Sequence, residues 1–425
     1  MLKPANKSQK RSADLVATLD FGASKVACII ARPGDDPGDI DVLGAACHGV
    51  TRSDGRAMNA DMAEKCIRAA VDGAERMAGD RLHEISIAVN GRYLYGRRIG
   101  VDLDIAGGVI THEDVDDALG EGMTLAAGDG FTALTALPIA FRVDGEEFFV
   151  DPTGLTGRVL CTELLSVSVR QSLLDNLSAI VERCGLRAHE FVPAPFAAGE
   201  ATLTDDEKEL GAVLIDIGAA TTGFVVYDNG APVEMGGVAV GGGHITKDIA
   251  TIFGAPLADA ERVKTLHGSA LTGPGDEHRF VDFSALGASG EGLRATRADI
   301  NEVIAPRLEE IFELVSQKLS NKGGHRTIGR RAVLTGGGAL LVGACETAER
   351  VLSMKTRVAR PTPFSGLPEA TSGPGFSVSV GAVQKLLQLN TGRDASLSLV
   401  SPLQSRYANP LKMVGGIEAW LRTRF

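Results

Sequence analysis

At 425 residues the chain is too long for one core of ordinary size, so two or more domains are expected. Hydrophobic residues are 44% and charged residues 23%, a globular balance, and no run of about 18 apolar residues occurs, which excludes a bilayer-spanning helix. A net charge of −11 excludes a general nucleic-acid binder, since such proteins cluster Lys and Arg against phosphates. The six cysteines are scattered without a CxxC pair, which excludes a zinc framework and fits a reduced cytoplasm.

Residues 1–13 are basic and polar, with no apolar stretch of signal-peptide length, and read as a disordered leader. From Asp14, "DLVATLDFGASKVACIIA" is a β-rich run that enters Asp20, turns on Gly22 and Ser24, and leaves through Lys25 as a second strand. "DMAEKCIRAAVDGAERMAG" carries Met62, Cys66, Ala69, Ala70 and Met77 at roughly helical spacing. From about His83 to Val169 helix signals thin out and Gly, Pro and acidic turns increase, so residues 84–169 read as a separate insert. "RQSLLDNLSAIVERCG" is helical again.

From Leu210, "LGAVLIDIGAATTGFVVYDNG" repeats the first unit about 196 positions later: a strand enters Asp216, turns on Gly218, and leaves through Thr221 and Thr222. "DINEVIAPRLEEIFELVSQKLS" reads as a helix. "RRAVLTGGGALLVGACETAERVL" is a strand ending in Gly336, Gly337 and Gly338, followed by helical spacing. Residues 390–408 turn polar and read as a flexible linker. Alternating strands and helices imply an α/β protein with layered architecture.

The terminal stretch, residues 409–425, contrasts with the acidic body. On a helix, Leu411, Val414, Ile417, Leu421 and Phe425 recur every three or four residues with Trp420 beside them. Lys412, Arg422 and Arg424 lie toward the other side. That pattern fits an amphipathic helix lying on an anionic membrane surface, with Asn409 and Pro410 as its start signal. Docking onto the protein's own core is the other reading.

A duplicated strand, Asp, Gly and hydroxyl turn suits a phosphate clamp. Gly lets backbone N–H groups approach phosphate oxygens, and Ser24, Thr221 or Thr222 adds a donor. Lys25 offsets charge, and Asp20 and Asp216 are placed to hold Mg²⁺ through water. Singly, each turn is equally an ordinary glycine hairpin, and Gly336 to Gly338 a close-packing turn. The ordered trio selects the nucleotide reading.

This order of two phosphate hairpins and an "LTGGGA" turn resembles the actin-like ATPase superfamily. The stretches "VERCGL", "DDEKELGAVLIDIG", "ITKDIATIFGAPLADAERVKTLHG", "EVIAPRLEEIFELV" and "AWLRTRF" narrow the resemblance to the bacterial FtsA family, from Asp14 to Phe425. It implies an actin-like two-lobed fold with an FtsA-type inserted subdomain at 84–169 and a C-terminal amphipathic helix at 409–425. The first lobe core would be 14–83, returning at 170–204 and 368–389. The second would be 205–240 and 300–367, with a small subdomain at 241–299.

The resemblance also implies ATP or ADP with Mg²⁺. Gly22, Ser24 and Lys25 would form the first phosphate loop and Asp216, Gly218, Thr221 and Thr222 the second. Gly242 and Gly243 would lie near the phosphates, Glu261 and Lys264 at the ribose and adenine, and Gly336 to Gly338 on the adenosine side. The family's role implies a self-assembling protein, peripheral on the cytoplasmic face of the inner membrane, that tethers FtsZ and recruits later division proteins through the insert. The FtsZ C-terminal peptide would dock on 241–299, with Arg297, Asn301 and Glu302 as contacts.

Two departures bear on chemistry. The second loop reads Gly218-Ala219-Ala220-Thr221 followed by Gly223, where relatives carry more glycine and an acid. Ala194 precedes Pro195 where hydrolytic relatives place a water-orienting acid, and Glu200 is out of register for that role. Phosphoryl transfer depends on positioning and electrostatics, so ATP binding with weak or negligible hydrolysis and no catalytic residue is expected. The alternatives are a sugar or acetate kinase, or a pilus-assembly or rod-shape actin-like ATPase.

Overall fold

The computed structural model describes residues 15–36, 38–50, 60–148, 151–284, 293–320, 330–390 and 398–399. Strands β1 (Val16–Phe21), β2 (Lys25–Pro33) and β3 (Ile40–Gly49) form an antiparallel meander. Helix α1 (Ala60–Ala78) packs on it through Ala63, Cys66, Ile67, Ala70, Val71 and Ala74. Met77, expected on that face, is exposed. β4 (Glu84–Val89) then lies parallel to β1. Its apolar run is buried almost throughout, as parallel strands covered on both faces require. The insert expected from residue 84 therefore begins after β4, because "EISIAV" belongs to the first lobe's sheet.

The insert is built from β5 (Tyr95–Asp104), α2 (His112–Ala126), β6 (Phe131–Val143), β7 (Glu146–Phe148) and β8 (Val159–Arg170). β8 pairs antiparallel with both β5 and β6, β7 pairs with β6, and α2 closes a separate small core. Ser398 and Leu399 pair with Ala136 and Thr135 of β6. Part of the stretch expected to be a flexible linker is thus a strand of this sheet.

Helix α3 (Gln171–Arg183) leads to β9 (Arg187–Pro193), parallel to β4, giving the sheet order β3-β2-β1-β4-β9. The chain then crosses through α4 (Ala194–Thr202) and the short α5 (Asp205–Glu209) into the second lobe. There β10 (Ala212–Ile217), β11 (Thr222–Asp228) and β12 (Ala231–Val238) form a second antiparallel meander. A subdomain follows, made of α6 (Gly242–Ile252), α7 (Leu257–His267), β13 (Phe280–Phe283) and β14 (Leu293–Thr296). The lobe continues through α8 (Arg297–Ser320), β15 (Arg331–Thr335), α9 (Ala344–Leu352) and β16 (Lys355–Val358). Its sheet order, β12-β11-β10-β15-β16, repeats the first lobe's order strand for strand.

The chain returns to the first lobe through α10 (Ser377–Asn390), which packs against α4. A Cβ on Gly381 would lie 1.7 Å from the Ala197 carbonyl oxygen, so the two connecting helices touch backbone to backbone. Beside this contact, Glu200 of α4 is partly buried. It accepts from Lys208 Nζ at 2.9 Å and Tyr227 Oη at 2.8 Å. Burial and the Glu200 charge push the Tyr227 phenol far above its ordinary range.

Replacing Gly381 with Ala forces the two connectors apart. The expected cost is about 1–3 kcal/mol, as for other overpacked sites. Thermal unfolding checks this: Gly381→Ala lowers the midpoint, whereas Gly373→Ala, with nothing within 4 Å of the added carbon, leaves it unchanged.

Candidate functional site

The equivalent ends of β1 and β10 carry the same turn. Gly22 N donates to Lys25 O at 3.0 Å, and Gly218 N donates to Thr221 O at 2.9 Å. Within each turn the next two N–H groups, of Ala23 and Ser24 and of Ala219 and Ala220, donate to no described residue. Ser24 is exposed. The two threonine hydroxyls are committed elsewhere: Thr221 Oγ1 donates to Asn90 Oδ1 at 2.6 Å and Thr222 Oγ1 to Val240 O at 2.8 Å. They tie the start of β11 to its surroundings, so of the three hydroxyls only that of Ser24 is uncommitted among the described residues.

Gly242 N donates to Gly218 O at 2.9 Å and Gly243 N to Ala219 O at 2.7 Å. These glycines, expected to face phosphate, brace the second turn from behind because their N–H groups are already used. Lys264 Nζ donates to Gly242 O at 3.1 Å, to Thr246 Oγ1 at 2.9 Å and to Glu261 Oε2 at 2.7 Å. Lys264 and Glu261 of α7 thus sit at the start of α6, beside the second turn.

The third glycine run meets the same place. Gly336 has φ +83°, and a Cβ there would stand 2.3 Å from Asp216 Oδ1 and 2.6 Å from Ile217 O, so only glycine fits. Gly338 packs on Ile217, while nothing lies within 4 Å of a Cβ placed on Gly337. Gly336 N donates to Pro374 O at 3.1 Å, and the Phe376 ring lies 3.2 Å below Lys25 Nζ. Asn90 and Phe376 escaped the sequence reading. The glycines around Phe376 in "SGPGFS" mark a turn but do not say what it meets.

Asp20, Lys25 and Asp216 form the electrostatic centre of the cleft. Burial pushes the Asp20 carboxyl up to about 6 against the pull of Lys25. Burial and then the Asp20 charge push Asp216 up to about 7, again opposed by Lys25. Burial lowers the Lys25 ammonium, and Asp20, Cys47 and Asp216 oppose that. Like charges held together out of water favour a shared proton or a bound cation. Among the described residues no cluster of three or more His, Cys, Asp or Glu is placed to hold a metal ion by itself. Two carboxylates suit an ion that keeps part of its water shell.

Arg297, Asn301 and Glu302 lie apart from this cleft at the start of α8. Asn301 is buried: its Oδ1 accepts from Ser269 N at 2.9 Å, and its Nδ2 donates to Leu271 O and Asp276 Oδ2, each at 3.2 Å. It is not a surface contact, because its amide holds the 269–276 loop together. Arg297 faces Asp276 at 3.7 Å, and Glu302 is exposed.

Residues 213–381 match the family model described as cell division protein FtsA. The chain is 34% identical over 394 residues to the cell division protein FtsA of Rhizobium meliloti (strain 1021), covering 89% of this chain and 88% of that relative. The chain belongs to the FtsA family. Residues 91–168 match the SHS2 domain inserted in FTSA. Among solved structures, the PilM-PilN type IV pilus biogenesis complex is similar at 17% identity and a TM-score of 0.60, covering 88% of this chain and 98% of that one. MreB5 of Spiroplasma citri bound to ADP is similar at 14% identity and a TM-score of 0.51, covering 90% of this chain and 98% of that one. The fold is accordingly actin-like, with the family's inserted domain.

The raised carboxyls give a pH prediction. A folded state that binds a proton more tightly than the unfolded chain loses stability as pH rises, here from the ordinary carboxylate range up to about 7. Asp216→Asn removes the Asp216 share of that loss and leaves the smaller Asp20 share. Melting curves of the nucleotide-free protein should coincide near about pH 4, the ordinary carboxylate range, and separate progressively up to about pH 7, with the variant higher by several degrees above that.

Proposed function

We propose that this family member is a nucleotide-gated, self-assembling anchor of the division apparatus. The observation that carries the reading is the Asp20, Lys25 and Asp216 cluster, facing Gly336 between two lobes of equal topology. In it the free N–H pairs of two turns and the Ser24 hydroxyl receive phosphate oxygens, and Lys25 offsets their charge. Asp20 and Asp216 hold Mg²⁺ through water, and that ion supplies the charge which relieves their mutual repulsion. Glu261 and Lys264 meet the ribose and adenine, with Gly337 as the open floor of the adenosine side. ATP or ADP fits this donor set, and MreB5, of the same fold, has been solved with ADP.

Hydrolysis is expected to be weak or negligible. Position 194, at the start of α4, is a buried alanine, so no carboxylate orients an attacking water there. Glu200, later in the same helix, is held by Lys208 and Tyr227.

Membership of the FtsA family supports a division role with FtsZ, copies of itself and later division proteins as partners. In this reading the FtsZ C-terminal peptide docks on 241–299 near Arg297 and Glu302, and later proteins meet the insert. Residues 409–425, which lie outside the described residues, are the membrane-binding helix. Ile417, Trp420, Leu421 and Phe425 together contribute roughly 6–10 kcal/mol gross before helix ordering is subtracted. A single helix then binds reversibly, and assembly multiplies its hold through effective concentration. No described helix is long and apolar enough to cross a membrane. In this reading the attachment is peripheral, on the cytoplasmic face at the division site.

Co-sedimentation with anionic-lipid vesicles tests the anchor, comparing the full chain with one truncated after Ala408, each with and without ATP and Mg²⁺. Only the full chain should pellet, and more so with nucleotide. Both species pelleting equally, or neither, refutes it. A separate phosphate-release assay should find turnover well below about 1 s⁻¹, the low end for working enzymes.

A further inference from the structure

Lys25 forms no ion pair among the described residues, although Asp20 and Asp216 both act on its charge. Its ammonium lies instead 3.2 Å from the centre of the Phe376 ring, in the concave turn Pro374–Phe376. A Cβ on Gly375 would come within 2.9 Å of Lys25 Nζ, so the turn's backbone wraps the same ammonium. The turn itself is fixed: Pro374 O accepts from Gly336 N at 3.1 Å and from Thr335 Oγ1 at 3.2 Å, and Thr335 Oγ1 shares a 2.7 Å hydrogen bond with the buried Ser377 Oγ.

We propose that Phe376 is a positioning residue of the cleft: it holds Lys25 on its ring face and off the two carboxylates, leaving the lysine for phosphate and the carboxylates for a cation. This deepens the nucleotide reading above and rests on it. A lysine between two acids would ordinarily close onto one of them, which would occupy its donors and quench that acid as a cation ligand. An aromatic face attracts an ammonium through its quadrupole without using up a carboxylate. The ring faces the ammonium from one side only, so the remaining N–H donors stay available. Groups acting on Lys25 from the packed elements are Asp20 on β1, Asp216 on β10 and the Cys47 thiol on β3.

The test uses the full chain and MgADP binding by calorimetry for wild type, Phe376→Leu, Phe376→Tyr, Lys25→Met and the double variant Lys25→Met with Phe376→Leu. Phe376→Leu should bind about 3- to 30-fold more weakly, the range expected of a cation–π contact. Phe376→Tyr, which keeps the aromatic face, should stay within about twofold of wild type. The double variant should bind no more weakly than Lys25→Met alone.

A second readout needs no nucleotide. In Phe376→Leu, Lys25 closes onto the carboxylates, and the loss of stability with rising pH moves to lower pH than in wild type. A wild type that binds no MgADP overturns the reading of the cleft. A wild type that binds, with a Phe376→Leu variant matching it in affinity and in pH dependence, overturns this proposal alone. So does a loss in Phe376→Leu that persists in full when Lys25 is already Met, since that marks a purely structural role.

Discussion

The two lobes are joined where α4 and α10 cross, and at that crossing the backbones meet with no side chain between them. A contact of Gly381 against the Ala197 carbonyl leaves no rotamer to relax, so the spacing of the two connecting helices is set there. A second close contact lies nearby. A Cβ on Gly91 would stand 2.7 Å from Gly223 Cα, and one on Gly237 would stand 2.6 Å from Gly91 C. These contacts seat the end of β4, which adjoins β1, against β11, which adjoins β10, and so hold the strand ends carrying Asp20 and Asp216 near each other. The missing acid at position 223 now has a cause. A side chain there would meet the Pro195 ring at 2.8 Å, so the position serves lobe contact instead of chemistry.

Bringing those strand ends together has a destabilising consequence. Two carboxylates and an ammonium are held in a cleft that hydrates them poorly, and each acid is driven above its ordinary range. A sequence selected for stability alone would neutralise one of them, and this is why the cluster carries the binding reading proposed above. The alanines of the second turn fit the same logic. The turn leans on α6 through the carbonyls of Gly218 and Ala219, which leaves the N–H groups of Ala219 and Ala220 free without glycine at either position.

What could be read from the sequence follows the range of the interactions. The duplicated hairpin was legible because a strand, an Asp and a Gly turn are set by neighbouring residues, and the duplication made the two-lobed architecture readable too. β4 was misassigned because a buried parallel strand has no alternating pattern to separate it from its flanks. Asn301 looked like surface on a polar stretch of α8, yet its partners are a loop some 25 to 32 residues earlier. The Thr221 hydroxyl goes to Asn90, 131 residues away. Phe376 is further still from Lys25, and no local pattern in either segment announces the pair.

The nucleotide reading and the architecture converge on one short segment. Residues 374–381 hold the Gly336 turn through Pro374, Lys25 through Phe376, the end of β15 through Ser377, and the helix crossing through Gly381. A ligand that draws on Lys25 therefore acts at the start of the helix that sets lobe geometry. On the proposed reading, in which hydrolysis is negligible, nucleotide would serve as a structural ligand whose binding favours one lobe arrangement. Any assembly that prefers the same arrangement must then tighten nucleotide binding in return, by an equal free energy. On the same reading, membrane attachment through many weak helices would amplify that coupling, because each added copy raises the effective concentration of the rest at the surface.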